Sequence, residues 1–215
     1  MGELADRLAG KFIVVDGPDG GGKSTQILLL AERLRAAGLD VLTTRDPGGT
    51  PIGDRIRAIL LDNAHGEMAV PCETLLYMAS RCQLWAQVIR PALEAGRCVV
   101  CDRWVSATIA YQGAGGAPPQ DVMAIYNVAL GGVRPDLTIL LDIDAEAGLA
   151  RAGRTTGGHD RMEAKGGAFH ARVRERFLRQ AQHEPERFAV VDAAGSVEEV
   201  AGRVQTAIRE KMERE

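Results

Sequence analysis

Five short apolar runs, rich in β-branched residues, recur along the chain at residues 12–16, 41–44, 98–102, 137–142 and 188–191. Runs of this length without polar alternation predict strands buried on both faces. Between them apolar positions fall at helical spacing, as in Ile27, Leu30, Ala31 and Leu34. Strands alternating with helices predict an α/β fold, a five-stranded parallel sheet with helices on both faces. The first helix should begin in the glycine-rich turn after residue 16 and stop at Gly38, a natural C-terminal cap. The second should take Thr50 as N-cap and Pro51 as first helical residue, with Ile52, Ile56, Ile59 and Leu60 as its apolar stripe. A long third helix is predicted over 73–94, kinked or ended early by Pro91. Further helices are predicted over 146–152, 168–183 and 197–212, with a mobile glycine-rich segment over 153–167. No internal repeat or long linker divides the sequence, so residues 1–215 are expected to form one domain.

Composition changes this picture little. The chain has 215 residues, 46% hydrophobic and 26% charged, as in an ordinary globular protein. A net charge of -3 carries no nucleic-acid footprint. No apolar stretch approaches a membrane span, and the first ten residues have no signal-peptide core, so the expected compartment is the cytoplasm. Cys98 and Cys101 form C-x-x-C inside a predicted strand, where residues three apart face opposite ways. They are expected to be buried structural thiols rather than metal ligands.

The chemistry starts at Gly17-Pro18-Asp19-Gly20-Gly21-Gly22-Lys23-Ser24. This G-x-x-x-x-G-K-S run lies where a strand turns into a helix, the context that gives the pattern meaning as a P-loop. Glycines let backbone amides close around phosphate oxygens, and the helix N-terminus adds its positive dipole end. Lys23 would reach the β- and γ-phosphates, while the Ser24 hydroxyl would ligate Mg²⁺. A nucleoside triphosphate is therefore the expected ligand.

Ligands of open parallel sheets bind beyond the carboxyl ends of the strands. There the sequence places Arg45-Asp46 after the second strand, Asp102-Arg103-Trp104 after the third, and the arginines of the 153–167 region after the fourth. Asp102 suits a second Mg²⁺ carboxylate. Arg103 follows it where hydrolytic motors carry a water-activating glutamate, and a guanidinium grips phosphate instead. No N-K-x-D guanine-reading motif occurs. Several phosphate-gripping groups and no general base favour phosphoryl transfer to a phosphorylated acceptor.

The segments D-G-P-D-G-G-G-K-S-T-Q, R-D-P-G-G-T-P-I-G-D-R-I-R, L-L-Y-M-A-S-R-C-Q, C-D-R-W with A-Y-Q-G, and H-D-R-M-E follow in order. With them the chain resembles the bacterial thymidylate kinases from about residue 11 to residue 200. The resemblance implies a P-loop kinase that uses ATP and Mg²⁺ to convert dTMP to dTDP, supplying dTTP for DNA synthesis, and a homodimer. The alternatives are a kinase for another pyrimidine monophosphate, dUMP or a cytidine nucleotide, and a regulatory ATPase. ATP would lie on Gly17, Pro18, Asp19, Gly20, Gly21, Gly22, Lys23, Ser24 and Thr25. Asp19 would also accept from the sugar 3′-hydroxyl, and Arg45 and Arg103 would hold the acceptor phosphate. Tyr77 would stack on the base, Arg81 would donate to a base carbonyl, Thr108 would lie at the pyrimidine edge, and Tyr111 would crowd the 2′ position. With Gly20 in place of a P-loop arginine, the catalytic cation would come from a lid over about 153–167, from Arg151, Arg154 or Arg161. Asp46 stands where the family has glutamate, bearing on metal or on Arg45, and Ala107 where it has serine. Leu84, Trp85 and Val88 are the residues named for a partner surface.

Overall fold

The computed structural model describes residues 7–156 and 160–213. Five strands, β1 (Phe12–Asp16), β2 (Val41–Arg45), β3 (Cys98–Asp102), β4 (Leu137–Asp142) and β5 (Phe188–Asp192), form one sheet in the order β2-β3-β1-β4-β5. Every neighbouring pair is parallel, with Val14 opposite Cys101 on one side and Thr138 on the other. All five predicted strands are present, and two run one residue longer than expected. β1 lies between β3 and β4, so the loops after β1 and β3 open into the same crevice.

The two faces of the sheet have separate cores. Ile13, Val15 and Val100 pack against α1 (Lys23–Ala36) and against the C-terminal helix over residues 197–212. Phe12, Val14 and Val99 face the other way, onto Met78, Leu84, Trp104 and Tyr126. This period-two division also separates the C-x-x-C pair, with Cys98 in the first core and Cys101 in the second. Both thiols are buried, and burial pushes the Cys98 thiol up to about 12.

Helix ends follow the local sequence. α1 closes through Gly38 (φ 91°), whose neighbour Leu39 donates back to the Leu34 carbonyl. α2 (Pro51–Leu61) is capped by Thr50, whose hydroxyl accepts from the Gly53 N–H at 3.0 Å. Its predicted apolar stripe is not an inner face, because only Leu60 is fully buried while Ile52 and Ile59 are exposed. α3 (Val70–Leu84) starts one turn earlier than predicted. It passes through a π-turn at Trp85–Ile89 into α4 (Arg90–Glu94). The wider register, with the Arg90 N–H on the Trp85 carbonyl, carries the helix past Pro91, which has no N–H to give. Leu84 lies fully inside the core and is unavailable to a partner, while Trp85 and Val88 are half-buried.

Two helices that the sequence reading did not name, α5 (Val105–Ala114) and α6 (Pro119–Leu130), lie between β3 and β4. α7 (Ala145–Thr156) begins over Asp144, which accepts from the N–H groups of Glu146 and Ala147. It continues four residues beyond the predicted end, so the segment expected to be mobile is helical as far as Thr156. Residues 157–159, and the side chains of 153–156 with Arg154 among them, lie outside the described residues. α8 (Gly167–His183) packs on α5 and α7, and α9 (Val197–Met212) starts in a Ser196–Glu199 capping box. Among the described residues no helix is long and apolar enough to cross a membrane.

Candidate active site

The loop from Gly17 to Gly22 leaves β1 and enters α1 with backbone that suits glycine. Gly17 has φ 137°, and a Cβ there would lie 2.3 Å from the Leu141 carbonyl oxygen. Gly20 has φ 73° and lies so close to α7 that a Cβ would lie 1.9 Å from the Gly148 oxygen. The P-loop therefore presses directly on the helix that carries Arg151, and no side chain at position 20 fits this arrangement. Lys23 curls back over the loop, donating to the Gly17 (3.2 Å) and Pro18 (2.8 Å) carbonyls. Burial and the Arg103 charge lower the affinity of Lys23 for its proton, against the pull of Asp19 and Asp102. An arriving triphosphate would reverse that balance.

Ser24 donates to Asp102 Oδ2 at 3.2 Å, joining the start of α1 to the end of β3. The other oxygen, Asp102 Oδ1, is buried and accepts no hydrogen bond among the described residues. A hydroxyl beside an unsatisfied buried carboxylate oxygen is a donor set suited to a hard divalent cation.

Arg103 is the centre of the opposite wall. It is the one described non-glycine residue with positive φ (69°), a conformation held by its N–H on the Val15 carbonyl at 3.0 Å. The turn sends its guanidinium back over the P-loop. There it donates to the Gly17 carbonyl (3.0 Å), Asp16 (3.3 Å), the Tyr111 hydroxyl (3.2 Å) and Asp19. Tyr111 completes the ring of contacts by donating to Asp19 Oδ2 at 2.7 Å. Burial alone would raise the Asp19 pKa, but Arg103, Lys23 and Tyr111 outweigh it and hold the carboxyl below the ordinary range. Asp16 is the contrary case. Burial wins over Arg103 and over Ser106, which donates at 2.6 Å, and its pKa is raised.

The far side of the cavity is built on α3 and the turn after β2. Arg81 is buried, donating to Asp46 Oδ2 (2.6 Å), the Thr108 hydroxyl (2.9 Å) and the Trp104 carbonyl (3.2 Å). Asp46 thus holds Arg81, and Arg45, which the sequence had offered as its partner, pairs elsewhere. Arg45 is exposed and pairs with Asp54 at 3.4 Å. Tyr77 is half-buried at the cavity wall, and burial raises its phenol pKa.

Asp19, Ser24, Asp46, Arg81, Asp102 and Thr108 line one cavity of about 790 Å³, within the size range of small-molecule sites. Lys23, Arg45, Tyr77, Arg103, Tyr111 and Arg151 mark its circumference. The three arginines named for the lid part company. Arg151 faces the cavity and donates to the Ala193 carbonyl at 3.1 Å. Arg154 has its side chain outside the described residues. Arg161 turns away from the cavity and is buried, its Nε on the Leu60 carbonyl (2.8 Å) and its guanidinium paired with Glu73 at 2.5 Å.

Several site residues escaped the sequence reading. Arg57 lines the cavity and donates to the Pro47 carbonyl (3.0 Å), and Gln112 lines it while donating to Glu73 at 2.7 Å. Arg57 closes one recognised segment and Gln112 lies inside A-Y-Q-G, which was the available signal. Ser106, Glu73 and His170 meet the site through contacts between distant parts of the chain, and nothing local marked them.

A family model described as thymidylate kinase matches residues 15–204. A thymidylate kinase of Pseudomonas putida (strain GB-1) is 48% identical over 194 residues, 90% of this chain and 92% of the relative. One from Deinococcus radiodurans is 47% identical over 203 residues, 94% of this chain and 98% of that one. The crystal structure of thymidylate kinase from Ehrlichia chaffeensis superposes with a TM-score of 0.76 at 28% identity, covering 94% of this chain and 99% of its own.

Proposed function

The chain belongs to the thymidylate kinase family, and we infer that it transfers the γ-phosphoryl group of ATP to dTMP, giving ADP and dTDP. The observation that carries this inference is the cavity itself, with a P-loop cation on one side and the Arg103–Asp19–Tyr111 cluster on the other. In the reaction a phosphate oxygen of dTMP forms a bond to the γ-phosphorus while the bond to the β–γ bridging oxygen breaks. No proton has to be removed from a phosphate dianion, so the protein needs cations in fixed places rather than a base.

We assign Lys23 and the amides of Gly20 to Thr25 to the triphosphate, and Arg103 with Arg45 to the acceptor phosphate. Arg103 is already oriented by Gly17, Asp16 and Asp19, so it loses little freedom on binding. Asp19, held ionised, would accept from the 3′-hydroxyl, and Tyr111 would stand at the 2′ position. Tyr77, Arg81 and Thr108 would face the base. Arg81 reaches its place through Asp46, so a base carbonyl would add to a guanidinium already fixed. Of the lid cations Arg151 is the one we place on the triphosphate, because it is the one whose described side chain lines the cavity. Ser24 and Asp102 fit Mg²⁺, which when bound would neutralise charge on the phosphates. A homodimer and a cytoplasmic location complete the proposal, with exposed Leu75 on α3 supporting a partner surface. Sedimentation showing a monomer alone removes the dimer.

A panel of dTMP, dUMP and cytidine monophosphates with ATP tests the acceptor. The expected outcome is ADP release with dTMP well above the others. Preference for a cytidine nucleotide overturns the acceptor assignment.

A further inference from the structure

His170, on the first turns of α8, is fully buried yet lies between two oxygen atoms from distant parts of the chain. Its Nδ1 is 3.9 Å from Asp19 Oδ2, an ion-pair distance. Its Nε2 is 3.3 Å from the Glu163 carbonyl oxygen. Tyr111 and Phe169 box the ring edge to face, at 6.4 and 5.5 Å between centroids. A buried imidazole needs partners for its polar atoms, and this one has an acceptor on each side.

The Glu163 carbonyl is itself anchored. Asp160 Oδ1 accepts from the N–H groups of Met162 (2.8 Å) and Glu163 (3.0 Å), which winds residues 160–163 into a tight turn. Arg161 in that turn is pinned to the Leu60 carbonyl at the end of α2 and to Glu73 on α3. A continuous line of contacts therefore runs from α2 and α3 through Arg161, the Glu163 carbonyl and His170 to Asp19. Asp19 sits in a loop that must also accommodate a triphosphate. Its Oδ1 is held by Arg103 and its Oδ2 by Tyr111, with the His170 ring packed beside Oδ2 at 3.9 Å.

We propose that His170 is a positioning residue for the acceptor: it fixes the Asp19 carboxylate against the turn at residues 160–163, so that Asp19 meets the sugar 3′-hydroxyl of dTMP in one orientation. The proposal rests on the assignment of Asp19 to that hydroxyl. Positioning of this kind acts through a second residue, and its loss shows on the substrate group that residue contacts.

The test compares dTMP with its 3′-deoxy analogue as acceptors for the wild type, His170→Phe and His170→Gln, each checked by thermal melting. Wild type should favour dTMP in kcat/KM by about tenfold or more, the worth of a charge-assisted hydrogen bond. Both variants should lose about fivefold or more on dTMP and less than about twofold on the 3′-deoxy acceptor, with KM for ATP within about twofold. If the phenylalanine variant fails to fold, the glutamine variant decides, because it keeps a polar side chain in the pocket. Equal loss on both acceptors, or no loss on either, overturns the role of His170 while leaving Asp19 in place. Equal use of the two acceptors by the wild type overturns the Asp19 assignment and the proposal together, without touching dTMP phosphorylation itself.

Discussion

The two walls of the cavity are built on different principles. The wall at the ends of β1 and β3 is buried and cross-linked, with Asp16, Asp19, Arg103, Ser106 and Tyr111 satisfying one another before any ligand arrives. The wall from the end of β2 and from α7 presents Arg45 and Arg151 exposed, Arg45 donating to Asp54 and Arg151 to the Ala193 carbonyl. Burying charges is costly unless each is paired, so the first wall must be complete in the folded chain. Exposed guanidinium groups carry no such requirement, and their planar fork suits a phosphate. On the proposed function, the first wall would orient substrate and the second would neutralise it.

Substitutions should separate the two. The largest effect is expected where the walls meet. Lys23→Ala removes the cation over the P-loop and should lower turnover about a thousandfold or more, measured as dTDP formation. Near-normal formation would remove the P-loop from the mechanism. Next comes a pair of arginines. Arg103→Ala leaves the buried Asp16 and the half-buried Asp19 without their cation and should cost about 3 kcal/mol of stability in addition to most of the activity. Arg45→Ala should change stability by less than about 0.5 kcal/mol and raise KM for dTMP. Similar losses in denaturant midpoint for both would erase the distinction between walls.

Arg81→Ala extends the comparison to the base. Because Asp46 would be left buried and unpaired, the variant should be destabilised. It should also raise KM for dTMP more than KM for ATP, whereas an equal rise would remove Arg81 from the base. The smallest effect concerns pH. The folded-state pKa of Asp19 is depressed, so its contribution is present above the unfolded value and is lost only as pH falls through the folded one. The deficit of Asp19→Asn in dTMP use should therefore stay constant between about pH 6 and 8. A deficit that changes across that window would show that the carboxylate titrates there.

The first wall was half legible in the sequence. Strand runs ending in Asp16 and Asp102, followed by a glycine-rich loop and by Arg103, fix where a triphosphate can sit, because side-chain period and strand ends are local properties. Arg103 could be named from its place, but its left-handed backbone could not, and that backbone is what turns it over the P-loop. α5 and α6 went unnamed, as most of α5 is buried and shows no polar face to set a helical period. Arg161 misled for a related reason. An arginine in a glycine-rich segment resembles a free cation, and only the fold brings it to Glu73, 88 positions earlier in the chain, and the Leu60 carbonyl. His170 and Ser106 likewise acquire their parts from contacts that no spacing encodes.

The most direct test of a site made to transfer rather than to hydrolyse is ADP release from ATP with and without dTMP. On the proposed function, a cavity whose fixed cations grip phosphate should release ADP in step with dTDP when dTMP is present, and almost none in its absence. ADP release at the same rate without dTMP would contradict the account, because the fixed wall would then be orienting water and not an acceptor.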